Sequence, residues 1–281
     1  MKKAFLTILI FTSFLNSKII ANENDQLKQL EDSLNHYFSM LLKEDNDVNK
    51  IELNSKIVAL FKKALQQESS FYYPFFDLQN VGFIRSDDYK LRIITWNLPY
   101  NDRTHKYYGF IQYKRNKKDY VFYELKDCSE EIKNPEMLIL NSSNWYGALY
   151  YKIITNKSKG KDYYTLLGAD LNNLLTKKKV IDILYFDKNN LPVFGDKVFK
   201  NKVPPVARVI FEFNGQTNMT LAYDDKKEMI VFDHLSPSKP SLTGQFEFYG
   251  PDFSYDGLKF ERGIWNSYTD IDVRDYSIGE F

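Results

Sequence analysis

The sequence predicts an α+β protein in which an N-terminal helical hairpin precedes a predominantly antiparallel β body. Two observations predict it. Apolar residues recur at three- and four-residue steps between Asn24 and Gln67, the spacing of an amphipathic helix face. Beyond Ser70 the chain changes to short runs of Tyr, Phe, Ile and Val broken by Asn, Asp, Lys and Gly, and an aromatic content of 16% suits pleated, half-buried surfaces.

At the N-terminus, Met1-Lys2-Lys3 is positive, and the run from Ala4 to Leu15 is apolar apart from Thr7, Thr12 and Ser13. This is the pattern of a secretory signal. Cleavage is expected after Ala21, with Ser17 as the alternative, so that the mature chain starts between residues 18 and 22. The apolar run is shorter than the ~20 residues that cross a bilayer as a helix, and no later segment approaches that length. The expected product carries no membrane span after signal removal and is periplasmic or secreted. Cys128 is the only cysteine. It lies far from the apolar run, so it offers no lipid attachment there, and it has no disulfide partner. Flanked by Asp127, Glu130 and Glu131, it reads as inert. The expected division is a signal peptide at 1–21, a helical region at 22–70 and a β-rich domain at 71–281.

The first helix, about residues 25–43, carries Leu27, Leu30, Leu34, Tyr37, Phe38 and Leu41 on one stripe. A polar break at Asp45-Asn46-Asp47 leads to a second, about residues 50–67, with Leu53, Ile57, Leu60, Phe61, Ala64 and Leu65. Leu30, Leu34, Phe38, Leu60 and Phe61 are the side chains expected to pack the hairpin on the β body. Two antiparallel hairpins follow in the pattern. One pairs 107–113 with 120–125 across Arg115-Asn116-Lys117-Lys118, and the other pairs 219–223 with 229–232 across Asp224-Asp225-Lys226-Lys227. Further strands are expected at 89–96, 148–154, 163–167, 180–186, 206–213, 245–249 and 257–260. Ten or more strands without intervening helical periods argue against a parallel α/β sheet.

Four phrases in the second half of the chain stand out: Trp145-Tyr146-Gly147-Ala148-Leu149-Tyr150-Tyr151, Tyr163-Tyr164-Thr165-Leu166-Leu167-Gly168, the segment from Met229 to Pro237, and Phe248-Tyr249-Gly250-Pro251-Asp252-Phe253-Ser254-Tyr255-Asp256-Gly257. Over residues 145–275 the chain resembles an uncharacterised family of exported proteins from Bacteroidota. The resemblance implies export and carries no chemistry with it.

Lys plus Arg number 38 against 37 Asp plus Glu, a net charge of +1 with no long block of one sign, which gives no electrostatic support for nucleic acid as a partner. No glycine-rich phosphate loop, nucleophile elbow or paired-histidine zinc pattern occurs, so no cofactor is expected. Asp252, Ser254 and Asp256 followed by Gly257 begin as a calcium loop does, but the twelfth position is Gly263 in place of glutamate. The preferred reading of Asp252–Gly257 is a structural turn between strands, with those three residues only weak metal candidates. Asp270, Asp272 and Asp275, with Arg274 among them, and Asp224-Asp225 are acidic clusters that read equally as solvated edges or turns. Asp233 and His234 are adjacent, so in a strand they face opposite ways and form no dyad. Ser236 and Ser238 are the hydroxyls nearest His234 in sequence.

What remains is aromatic. Trp96, Tyr100, Trp145 and Tyr146 are the candidate ligand-binding residues, because Trp and Tyr at strand ends make platforms for sugars or partner proteins. Core packing is the competing reading. The function expected is non-enzymatic binding of a cell-envelope partner or glycan; the alternative is a carboxylate-dependent hydrolase of envelope or extracellular polymer.

Overall fold

A computed structural model describes residues 23–116, 119–158, 160–199 and 204–272. The expected signal segment and its expected cleavage sites lie outside the described residues, as do Lys117, Lys118, Arg274 and Asp275. The chain divides into two compact units, Met1–Val81 and Gly82–Phe281.

The first unit holds two helices, α1 at 23–41 and α2 at Asp47–Leu65. Asn46 caps α2: its side-chain oxygen accepts the backbone N–H groups of Val48 at 2.9 Å and Asn49 at 3.2 Å, two donors that the first turn leaves orphaned. Asp47 in the first turn and Lys62 and Lys63 in the last complement the helix dipole. The apolar stripe is buried at Leu30, Leu34, Phe38 and Phe61, whereas Leu60 is half-buried. Phe61 meets Phe38 edge-on at 6.5 Å and Phe75 at 6.3 Å. The segment after α2 belongs to this unit because buried Glu31 of α1 accepts the Tyr73 hydroxyl and the Asp77 N–H, each at 2.8 Å. Burial, with that carboxylate next, pushes the Tyr73 phenol up to about 12.

The second unit is built of three antiparallel sheets. The first is a meander of β1 (Gly82–Arg85), β2 (Leu91–Pro99), β3 (His105–Asn116) and β4 (Asp119–Lys126). The second contains β5 (Leu140–Asn141), β6 (Leu149–Ser158), β7 (Lys161–Asp170), β8 (Thr176–Phe186), β9 (Pro192–Phe194) and β10 (Val209–Asn214). Its order is β5-β9-β8-β7-β6, and β10 pairs the first half of β8 while β9 pairs the last residues of the same strand. The third is a second meander, β11 (Leu221–Asp224), β12 (Met229–Pro237), β13 (Tyr249–Glu261) and β14 (Ile264–Tyr268).

The second sheet is the middle layer. Alternation along β7 and β8 sends Tyr164, Leu166, Val180 and Leu184 to a core shared with Leu91, Ile93 and Ile111 of the first sheet. Leu167, Ile181 and Ile183 point the other way, into a core shared with Ile230, Phe232, Leu258 and Trp265 of the third. The Trp265 indole N–H donates to Thr165 Oγ1 at 3.2 Å across that interface. Asp182 of β8 is fully buried, and Arg208 answers it with Nε 3.2 Å from Oδ1. The same guanidinium donates to the carbonyls of Leu138 at 3.0 Å, Phe194 at 3.3 Å and Pro135, which pins the β4–β5 loop to the strand edge.

Two local expectations are corrected. Residues 252–257 do not turn; they lie inside the thirteen-residue strand β13, because β12 continues to Pro237 and offers a ladder on both sides of them. Between the pairs Asp233↔Tyr255 and Leu235↔Pro251 a bulge sets Asp252, Phe253 and Ser254 opposite His234 alone. The turn chemistry of Asp252 is absorbed there, its Oδ1 accepting Ser254 N at 3.1 Å and Oγ at 2.7 Å. Gly257 serves close approach in place of a turn, since a Cβ would stand 2.3 Å from Ile271 Cδ1. The strand expected at 245–249 is a 3-10 turn, Phe246–Phe248, leading into β13. Asp270 and Asp272 lie past the end of β14 and are exposed.

Candidate functional site

Trp96 and Trp145 are 1% and 0% exposed, so neither indole has a face to offer a ligand. Trp96 stacks on Tyr108 at 5.8 Å, and the Trp145 N–H donates to the Tyr150 hydroxyl at 3.0 Å. Tyr100 is half-buried in the β2–β3 turn, where its backbone closes on Thr104 and Arg103. Tyr146 is 3% exposed, but its hydroxyl reaches the wall of a cavity. The aromatic platform expected from these four residues is thus replaced by core packing at both tryptophans.

Concave surface forms instead where separate segments of the second unit converge. An open groove of 570 Å³ runs between the β10–β11 loop, with Asn214, Gln216 and Thr217, and the facing parts of β12 and β13, with Ser236, Tyr249 and Asp252. Its walls are fixed from behind. Asn214 Nδ2 donates to the Glu247 carbonyl, and the Gly244 N–H donates to the Tyr249 hydroxyl at 3.0 Å. Asp252 accepts Ser236 Oγ at 2.7 Å on one oxygen and Ser254 on the other. Those bonds stabilise the carboxylate and hold its pKa down at about 2.

Beside the groove, His234 Nδ1 lies 2.7 Å from Asp256 Oδ2, and this contact raises the imidazole pKa above its usual value. His234 and Asp233 do point apart, Asp233 being buried and bonded to the Thr220 N–H at 2.6 Å. Ser236 bonds to Asp252 and not to His234, so serine, histidine and aspartate here form two separate pairs and no relay. Asp252, Ser254 and Asp256 share one strand, but among the described residues no three His, Cys, Asp or Glu side chains are placed to hold a metal.

A second, more enclosed cavity of 290 Å³ lies between the start of β3, the β4–β5 loop and the β7–β8 loop. Asp170, Lys178, His105, Tyr107 and Tyr146 line it. Its frame is Asp127, which accepts the N–H groups of Tyr107 at 2.9 Å, Ser129 at 2.9 Å and Gly147 at 3.2 Å. The two hollows adjoin one loop: Asn172 lines the cavity, while the Leu175 carbonyl accepts Gly215 N–H at 2.8 Å next to Asn214 of the groove.

Sequence reading missed Asp170, Lys178 and Gln216, and it did not single out Tyr249 as lining a groove. No local motif contains them. Their one signal was turn composition, Asn172-Asn173 and Asn214-Gly215, which marks loop tips without saying what the tips assemble. No family model, curated protein or solved structure matches this chain.

Proposed function

We propose that the chain is exported and acts as a non-enzymatic binder of a neutral glycan, held in the groove between the β10–β11 loop and the β12–β13 edge. The observation that carries this reading is the groove's lining: a Tyr249 and Phe248 wall beside an amide, hydroxyls and one ionised carboxylate at Gln216, Thr217, Ser236 and Asp252. Sugar rings present apolar C–H faces that pack on aromatic rings, and hydroxyls that bond amides and carboxylates. An open, shallow shape suits a chain passing through more than an enclosed small molecule.

Hydrolysis is the weaker reading because a glycosidic general acid needs a carboxyl that stays protonated near neutral pH. Asp252 is held ionised, Asp256 is engaged by His234, and Asp182, a carboxyl that burial raises, is sealed in the core against Arg208. Affinity electrophoresis through gels containing soluble polysaccharides tests the binding half. Retardation by at least one polymer is expected, diminished in Gln216→Ala and Phe248→Ala; unretarded migration in a panel of neutral and acidic polysaccharides overturns it. Recovery from periplasm or medium with an N-terminus between residues 18 and 22 tests the export half.

A further inference from the structure

The enclosed cavity has a composition that the groove lacks. Its floor is Asp170, 5% exposed at the end of β7. Oδ1 accepts the Tyr107 hydroxyl and the Asn172 N–H, each at 2.8 Å, while Oδ2 accepts the Tyr146 hydroxyl at 3.3 Å and lies 3.8 Å from Lys178 Nζ. Asp170 is thus held in place by four groups from two strands and two loops before any ligand arrives, three of them by hydrogen bonds and Lys178 by charge, the preorganisation a binding site requires.

His105 also lines the cavity. Its Nδ1 is 2.9 Å from Asn97 Nδ2. An amide nitrogen only donates, so Nδ1 accepts and the proton sits on Nε2. Burial lowers the imidazole pKa and keeps the ring neutral.

The occupant follows from charge and size. An anion would meet Asp170 and the rim carboxylate Glu130, and a cation would meet Lys178. A hydroxyl donates and accepts, so it finds a partner in a carboxylate, an ammonium or a neutral imidazole alike. The volume of 290 Å³ lies just below the roughly 300–1,000 Å³ typical of ligand pockets, which limits the occupant to one small ring. We propose that this cavity binds a single neutral, hydroxyl-rich ring, as a free monosaccharide or as the terminal unit of a glycan.

The test is saturation-transfer NMR and calorimetric titration of the intact mature protein with a panel of monosaccharides and their methyl glycosides, with glycine, ammonium and inorganic phosphate as controls. At least one sugar is expected to bind, at about ten-fold weaker affinity in Lys178→Gln. Glu130→Trp, a change at an exposed rim position that fills the mouth, is expected to abolish binding with the melting temperature within about 2 °C of wild type. Equal binding of the methyl glycoside assigns the site to glycan ends, and binding of the free sugar alone assigns it to monosaccharides. Binding of the ionic controls only, of nothing, or of sugars undisturbed by Glu130→Trp overturns the proposal. Electrophoretic retardation reads the groove, while the loss of titrated binding in Glu130→Trp reads the cavity, so the two stand or fall separately.

Discussion

Phe253 concentrates at one residue the tension between local preference and tertiary pairing. It sits in the left-handed region at φ 69° and its side chain is 94% exposed, so it has a backbone cost and no burial to offset it. The bulge imposes that conformation, because Asp252 and Ser254 on either side are tied to each other and to Ser236. Glycine tolerates the left-handed region but loses more chain entropy on folding, by about 0.5–1 kcal/mol, against a left-handed penalty of about 1–2 kcal/mol. Phe253→Gly is therefore expected to be no less stable than wild type and up to about 1.5 kcal/mol more so. A lowered urea midpoint would mean that the ring contributes contacts after all. At the next position across the bulge, the Asp256 hydrogen bond raises the His234 pKa in the folded state. A raised pKa gives stability that is fully present below the unfolded value near 6.5 and is lost as pH rises through the folded value. The side chain is 48% exposed, which limits the effect to about 0.5 kcal/mol. The stability difference between wild type and His234→Gln is expected to be largest at pH 5.5 and to shrink toward pH 8.5 in urea titrations.

At the scale of the element, single polar groups decide how strands and loops join. Removing Arg208 would leave the fully buried Asp182 carboxyl without its counter-charge and would release the carbonyls of Leu138 and Phe194. Arg208→Met is expected to cost about 3–5 kcal/mol, whereas Arg208→Met with Asp182→Leu recovers much of the loss, since a buried pair replaced by apolar side chains is often close to neutral. Thermal unfolding of the four members of that cycle measures it; a double variant as unstable as the single one would place the cost in the carbonyl contacts. Gly147 fixes another junction. A Cβ there would stand 2.6 Å from Asp127 Oδ1 and 2.6 Å from Tyr107 Cδ2, both held by the bonds that frame the cavity. Gly147→Ala is expected to destabilise by about 1–3 kcal/mol. Glycine at this position is explained by that close approach, since its φ is unremarkable.

Across the whole β unit, the middle sheet organises the rest. β7 and β8 have covered faces on both sides and neighbours on both edges, so their amides open only when one of the flanking layers separates. Hydrogen exchange is expected to be slowest at Leu166, Leu167, Ile181 and Ile183 and faster in the short outer strands β1 and β14. Comparable rates in all strands would argue that the three layers unfold as one. Among the described residues no helix is long and apolar enough to cross a membrane. Groove and cavity both occupy loop ends of this layered body, where side chains are held by rigid strands without being enclosed by them.

Sequence alone was sufficient for the existence of the helices and most strands, because periods of 3.6 and 2 are local properties. It started the second helix at about residue 50, however, and read Asp45-Asn46-Asp47 only as a polar break, whereas Asn46 caps a helix that begins at Asp47. It was sufficient for the hairpins β3–β4 and β11–β12, whose turns lie between adjacent apolar runs. It failed at Asp252–Gly257, where residues that favour a turn were drawn into a strand by pairing with β12. It also failed at Trp96 and Trp145, since the same aromatic ring serves as platform or core according to what covers it. Both hollows were beyond its reach: Tyr107 and Asp170 are 63 residues apart, and Asn214 and Glu247 are 33 apart, and only the tertiary fold brings those groups within hydrogen-bond range.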